Sequence, residues 1–257
     1  MKFIQRLGRA VLDWVAHVGE FAVFSAKGIA GCVVSPFYAK ILWRQCLSIG
    51  FYSLPVVGLT AVFAGLVLAL QSYSGLSELS GENAVAAVVV VAITRELGPV
   101  LAGLMVSGRV SSSMAAEIGS MRMSEQIEAL EVLGVDPFRF LVAPRLLAGV
   151  CMLPLLVLLA DIIGVFGGFV VGVTRLSFSP GLYLEQLVKH TASFDVFTGL
   201  TKAVFFGLSI ALSGCYYGFT NGNGARGIGE AATRAVVSSS IGILVLNYLV
   251  TMLFFKL

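Results

Sequence analysis

The chain has 257 residues, of which 58% are hydrophobic, 12% charged and 11% aromatic, with a formal net charge of +3 and a mean hydropathy of +0.95. This composition excludes a soluble globular domain of the same length and describes a polytopic membrane protein. The small positive charge carries no message about nucleic acid, because its basic groups are spread over loops. Cys32, Cys46, Cys151 and Cys215 have no CxxC spacing and read as small apolar packing residues. His17 and His190 lie too far apart in sequence for a metal site.

The predicted fold is all-α, with five membrane spans. At the start of the chain, Lys2, Gln5, Arg6, Arg9, Asp13, His17 and Glu20 alternate at helical spacing with Phe3, Ile4, Leu7, Val11, Trp14, Val15 and Val18. That pattern predicts an amphipathic helix on the cytoplasmic membrane surface, not a signal peptide. From Phe21 to Arg44 the chain is apolar but broken by Lys27, Gly28, Gly31 and Pro36. It is expected to be interfacial or re-entrant. Residues 1–44 therefore form an N-terminal elbow and 45–257 a five-span domain, with spans near 46–72, 83–108, 146–174, 199–220 and 235–255. Each is long enough for a hydrocarbon core of about 30 Å, which takes roughly 20 helical residues. Basic residues concentrate in the N-terminal segment, in the Arg109–Arg145 loop and at Arg226 and Arg234. The opposite segments hold only Arg175, Lys189, Lys202 and Lys256, so the N-terminus is expected inside and the C-terminus outside.

Span two carries an adjacent charged pair, Arg95 and Glu96, in the middle of the apolar run from Asn83 to Gly108. An ionisable group at bilayer depth costs roughly 2.5–3.5 kcal/mol on insertion scales and tends to face a partner charge, a wet cavity or a transported molecule. Neighbouring residues on a helix point about 100° apart, so this pair cannot neutralise itself face to face. Pro99 cannot donate to the carbonyl of Arg95, which predicts a kink with a free acceptor beside the pair. A packing lock and a functional site both remain open on this pattern.

The loop between spans two and three, 109–145, holds Ser124-Glu-Gln-Ile-Glu-Ala-Leu-Glu-Val-Leu-Gly134. Ser124 suits an N-cap, Gly134 the left-handed residue after the helix, and Pro137 a stop. Glu125, Glu128 and Glu131 form an acidic stripe opposite Ile127, Leu130 and Leu133. About ten residues at 1.5 Å each make a peg of roughly 15 Å, either a solvated connector or a docking lever. Span three contains one charge, Asp161, expected to pair with Arg95 within one chain or across a dimer. Gly164, Gly168 and Gly172, and later Gly214 and Gly218, are small-residue stripes for close helix approach. No GxxxxGK[ST] loop occurs, so the chain carries no ATPase motif. Gly222-Asn-Gly224-Ala-Arg-Gly227 satisfies GxGxxG but follows a membrane span, where the dinucleotide fingerprint has no meaning. No nucleophile, base and orienter can be assembled, so catalysis within the chain is not expected.

Thr94-Arg-Glu-Leu-Gly-Pro-Val-Leu101, Gly108-Arg109, Ala115-Ala-Glu-Ile-Gly-Ser-Met-Arg122, Glu125-Gln126, Val135-Asp-Pro137 and Ala232-Thr-Arg-Ala-Val-Val-Ser-Ser239 closely resemble the MlaE permease family over nearly the whole chain. The resemblance implies a permease subunit of an ATP-driven ABC transporter, in a bacterial inner membrane, that moves phospholipids between inner and outer membranes and maintains outer-membrane lipid asymmetry. It further implies a homodimer, a cytoplasmic ABC ATPase (MlaF), a STAS-domain protein (MlaB) and a periplasmic MCE-domain hexamer (MlaD). This chain would hold no cofactor, ATP and magnesium being bound by the ATPase. The Ser124–Leu133 peg would be the coupling helix. Arg95 and Glu96 would lie near a central lipid cavity, with Leu68, Gln71, Leu76 and Leu79 at its outer mouth; the resemblance assigns Asp161 no role. The alternative from the residues themselves is a proton-coupled carrier using Glu96 and Asp161, or a passive scaffold.

Overall fold

A chain in hydrocarbon must satisfy its backbone polar groups within itself, and a helix does so segment by segment. The computed structural model describes residues 2–33, 38–76, 81–220 and 224–254, and their regular structure is helical, with no strand among them. Five helical stretches are long and apolar enough to cross a membrane: Ala39–Gly75, Ala84–Met123, Phe138–Thr174, Ser193–Phe219 and Ala225–Phe254. Leu79 lies outside the described residues, as do the side chains of Leu76 and of the polar positions before Leu12.

The chain begins with α1 (Lys2–Val33), one helix that continues through the stretch expected to break at Lys27 and Gly28. Span one joins α2 (Ala39–Ile49) to α3 (Leu54–Leu76) through a short 3₁₀ turn. Span two runs as α4 (Gly81–Ala92), a π-helical turn at Ile93–Leu97, α5 (Gly98–Val106), a second π turn at Ser107–Ser111 and α6 (Ser112–Met123). The short α7 (Gln126–Val132) follows, and a third π turn at Phe138–Val142 leads into α8 (Ala143–Thr174). Then come α9 (Pro180–His190), α10 (Ser193–Phe219) and α11 (Ala225–Phe254).

Each span is therefore helical beyond the apolar window that marked it, span one by starting at Ala39 ahead of Lys40 and Arg44. For spans two and three the boundary arginines find partners in the bundle. Arg109 donates through Nε to Ser53 Oγ at 3.1 Å and through Nη2 to the Ser48 carbonyl. Arg145 is only 2% exposed, yet it donates to the Leu141 carbonyl at 2.7 Å and meets Glu117 Oε2 at 2.8 Å. A guanidinium so partnered need not end a helix.

Glycines set the spacing of the bundle. A Cβ on Gly65 would strike the Gly164 carbonyl, which seats α3 against α8, and Gly149 and Gly207 stand in the same relation between α8 and α10. Gly168 and Gly172 receive Val89 of span two and the ring of Tyr183 on α9. Gly214 and Gly218 receive Met114 and Ile118 of α6. Both stripes thus serve contacts within this chain.

Aromatic rings bind α1 to one end of the bundle. Tyr216 meets Phe21 at 5.1 Å and Phe24 at 5.5 Å between ring centroids, and Phe138 stacks on Phe219 at 5.7 Å. That end also holds α7, while α9 caps the other, so consecutive spans alternate in direction. Along α11, Ile241, Leu244, Val245, Tyr248 and Leu249 are exposed, an apolar face with no partner among the described residues.

Candidate functional site

The π turn at Ile93–Leu97 contains the charged pair. There the Gly98 N–H reaches back to the Ile93 carbonyl, and Pro99 supplies no N–H for the carbonyl of Arg95. Lys202 fills that gap. Its ammonium donates to the Arg95 carbonyl at 2.9 Å and to Glu96 Oε1 at 2.7 Å. Glu96 also accepts from Asn247 Nδ2 at 2.9 Å and from Thr251 Oγ1 at 3.2 Å. Arg95 turns the other way and donates from Nε to Asp195 Oδ1 at 2.6 Å.

This geometry follows from the periodicity of α10. Asp195 and Lys202 are two helical turns apart, so they share one face about 10 Å apart along the axis. Gly199 lies between them, where a Cβ would collide with the Thr94 carbonyl. The missing side chain lets α10 approach span two closely enough for each charge to meet its opposite. The result is a balanced set of two cations and two anions, with Lys202 fully buried while the Arg95 and Glu96 side chains stay 35% and 40% exposed. A buried inner pole and an accessible outer rim suit a site that meets something polar inside the membrane.

Arg95 does not pair with Asp161 in this chain; it pairs with Asp195. Asp161 is 4% exposed, and neither of its oxygens has a hydrogen-bond partner among the described residues. Its carboxyl seats against Gly98, where a Cβ would overlap Oδ1. Leu68 is half-buried against the Val85 and Val89 cluster and Gln71 is exposed. No hydrogen bond or ion pair among the described residues joins either to the charged group.

The peg is shorter than its sequence pattern indicated. Ser124 ends α6 and donates to the Ser120 carbonyl at 2.9 Å instead of capping α7. Glu125 takes a left-handed φ of 57°, and α7 spans seven residues. Gly134 does adopt φ 75° beyond its end, as a helix C-terminus favours. Glu125, Glu128 and Glu131 are exposed. Ile127 and Leu130 pack on the bundle core, whereas Leu133, with Val132, stands exposed. The apolar stripe therefore anchors the peg and leaves only its tip free.

Lys202, Asp195, Asn247 and Thr251 escaped sequence reasoning, which placed Lys202 in an outer loop. Their signal was present as a seven-residue spacing in α10 and a four-residue polar pair in the otherwise apolar stretch of α11 after Ser240. A second polar seam crosses the same helices: Ser107 Oγ and Ser239 Oγ lie 2.7 Å apart.

Residues 42–253 match the family model described as Permease MlaE. The chain belongs to the MlaE permease family. A probable ABC transporter permease of Rickettsia prowazekii is 49% identical over 100% of this chain and 99% of its own length. The intermembrane phospholipid transport system permease MlaE of Haemophilus influenzae is 34% identical, covering 99% of this chain and 98% of that one. The chloroplastic protein TRIGALACTOSYLDIACYLGLYCEROL 1 of Arabidopsis thaliana is 33% identical over 89% of this chain and 67% of its own. An MlaE-family chain with five apolar helices is a multi-pass membrane permease.

Proposed function

We propose that this chain is the membrane subunit of an ATP-driven ABC transporter that moves phospholipids between the inner and outer membranes and so maintains outer-membrane lipid asymmetry. The observation that carries the reading is the ion cluster of Arg95, Glu96, Asp195 and Lys202 between two apolar spans, with Arg95 and Glu96 partly exposed, in a chain related end to end to a named phospholipid permease. Two copies would meet along the bare apolar face of α11, bringing both clusters to a shared lipid cavity. The exposed rim would contact a head group, and apolar walls its acyl chains. Because Arg95 already holds Asp195, a phosphate would compete with that carboxylate for the guanidinium.

No phosphate-binding loop occurs in the sequence, so work would enter from a separate ATPase, MlaF, with MlaB supporting it and a MlaD ring outside. The bias of basic residues puts α1 and α7 on the cytoplasmic side. There the acidic face of α7 and its bare Val132–Leu133 tip form the docking element, while α1 lies along the membrane surface. Motion of α7 would reach α8 through exposed Glu117 of α6 and its buried partner Arg145 and rock the bundle. Co-purification with the ATPase tests this. Glu125→Arg with Glu128→Arg is expected to abolish recovery of the ATPase while the permease still inserts and purifies. Undiminished recovery would refute the docking role.

A further inference from the structure

A groove of about 460 Å³ lies between spans two and three beneath α9, with Val196 of α10 at its border. Its walls are apolar apart from threonine hydroxyls: Val90 and Thr94 come from span two, Phe166 and Phe169 from α8, and Leu184 from α9. Thr94 Oγ1 is already committed to the Val90 carbonyl at 2.8 Å. Asp161 also lines the groove, and neither of its carboxyl oxygens has a hydrogen-bond partner among the described residues. Ile162 and Phe166 at its edge are about 60% exposed, so the groove opens sideways into the lipid.

A carboxyl in such surroundings costs least as the neutral acid, which holds one O–H donor. A donor with no partner among the described residues selects a ligand that brings an acceptor. The ligand must also be apolar enough to fill the walls and uncharged where it meets the acid. The volume falls in the range of about 300–1,000 Å³ usual for small-molecule sites.

We propose that this groove is a lateral lipid site, in which the Asp161 carboxyl donates to an acyl-ester carbonyl of a glycerophospholipid. Asp161 lies roughly 20 Å by helix rise from the Thr174 end of span three. Resident lipids keep their esters at the edge of a hydrocarbon core about 30 Å thick, so an ester at Asp161 belongs to a lipid drawn inward. The inference therefore rests on the phospholipid-transport reading and adds an entry or exit position separate from the cavity at the α11 face. Gly98 is part of the same device: its missing side chain leaves room for the Asp161 carboxyl beside the turn that carries Arg95 and Glu96.

The test places a photo-reactive phenylalanine analogue at Ile162 in the full transporter, in vesicles containing either diacyl phosphatidylethanolamine or its diether counterpart. The ester lipid is expected to form a lipid adduct several-fold more than the ether lipid. Asp161→Asn, which keeps a donor, should stay within about twofold of wild type. Asp161→Leu should lower the ester adduct about five- to tenfold, the loss of one hydrogen bond of roughly 1 kcal/mol, and abolish the ester preference. Equal labelling by ester and ether lipids in the wild-type protein overturns the proposal without any variant. So does an adduct to a partner's helix in place of lipid. ATP-driven lipid transfer, read in the same vesicles, separates the two failures: transfer without an ester-dependent adduct overturns the groove alone, and absence of both overturns the transport reading as well.

Discussion

Replacing Lys202 with Met tests the ion cluster directly. Met keeps the length of the side chain and so limits cavity formation, but it removes the donors to Glu96 Oε1 at 2.7 Å and to the Arg95 carbonyl at 2.9 Å. Hydrogen bonds to charged groups contribute about 1.5–3 kcal/mol each. Glu96 keeps Asn247 and Thr251, and at 40% exposure it recovers part of its solvation. The net loss is therefore roughly 2–4 kcal/mol, below the sum of the two bonds. For a chain of this size about 2–4 °C accompanies each kcal/mol, so the unfolding midpoint of the detergent-solubilised protein should fall on the order of 5–15 °C. Adding Glu96→Gln removes the unpaired anion, and the double variant should regain at least about 1 kcal/mol relative to additivity. Thermal unfolding followed by intrinsic fluorescence gives all four corners of this cycle. A shift below about 2 °C for the single variant, or strict additivity in the double, would refute the reasoning that Lys202 holds the cluster together.

Gly98→Ala places a methyl group on Asp161 Oδ1 and should cost about 1–3 kcal/mol. Most of that loss should return when Asp161→Ala is combined with it, as read by the same unfolding midpoints. Tyr183 on α9 has a buried hydroxyl with no partner among the described residues, and burial pushes its phenol up to about 12. The unfolded chain then releases this proton from about pH 10 upward while the folded chain retains it, so stability declines between about pH 10 and 12. Tyr183→Phe should flatten that alkaline decline and leave neutral-pH stability within about 1 kcal/mol or slightly improved, which a pH series of melts would show.

The number of spans was legible because five apolar windows are separated by charged segments, and period alone suffices for that. Their true lengths were not, since Arg109 and Arg145 look like loop charges until Ser53, the Ser48 carbonyl and Glu117 are seen beside them. Arg95, Glu96 and Pro99 stood out as local anomalies in an apolar run. Their partners come from about one hundred to more than one hundred and fifty residues further along the chain, and only the approach of α10 at Gly199 brings them together. Asp161 shows the limit of charge matching by sequence: Arg95 was the evident partner, but Asp195 shares a face with Lys202 and reaches it first. On α7 the pattern of Ile127, Leu130 and Leu133 marked an apolar stripe correctly. It could not tell that Ile127 and Leu130 face the chain's own core, because binary patterning does not say which surface covers a stripe.

The most direct measurement reconstitutes the chain with its ATPase and outer partners in donor vesicles carrying labelled phospholipid, and follows label reaching acceptors with hydrolysable or non-hydrolysable nucleotide. The account predicts transfer only when ATP is hydrolysed, and its loss in the Glu125→Arg/Glu128→Arg variant. Transfer sustained by this chain alone, or driven by a proton gradient without nucleotide, would contradict it.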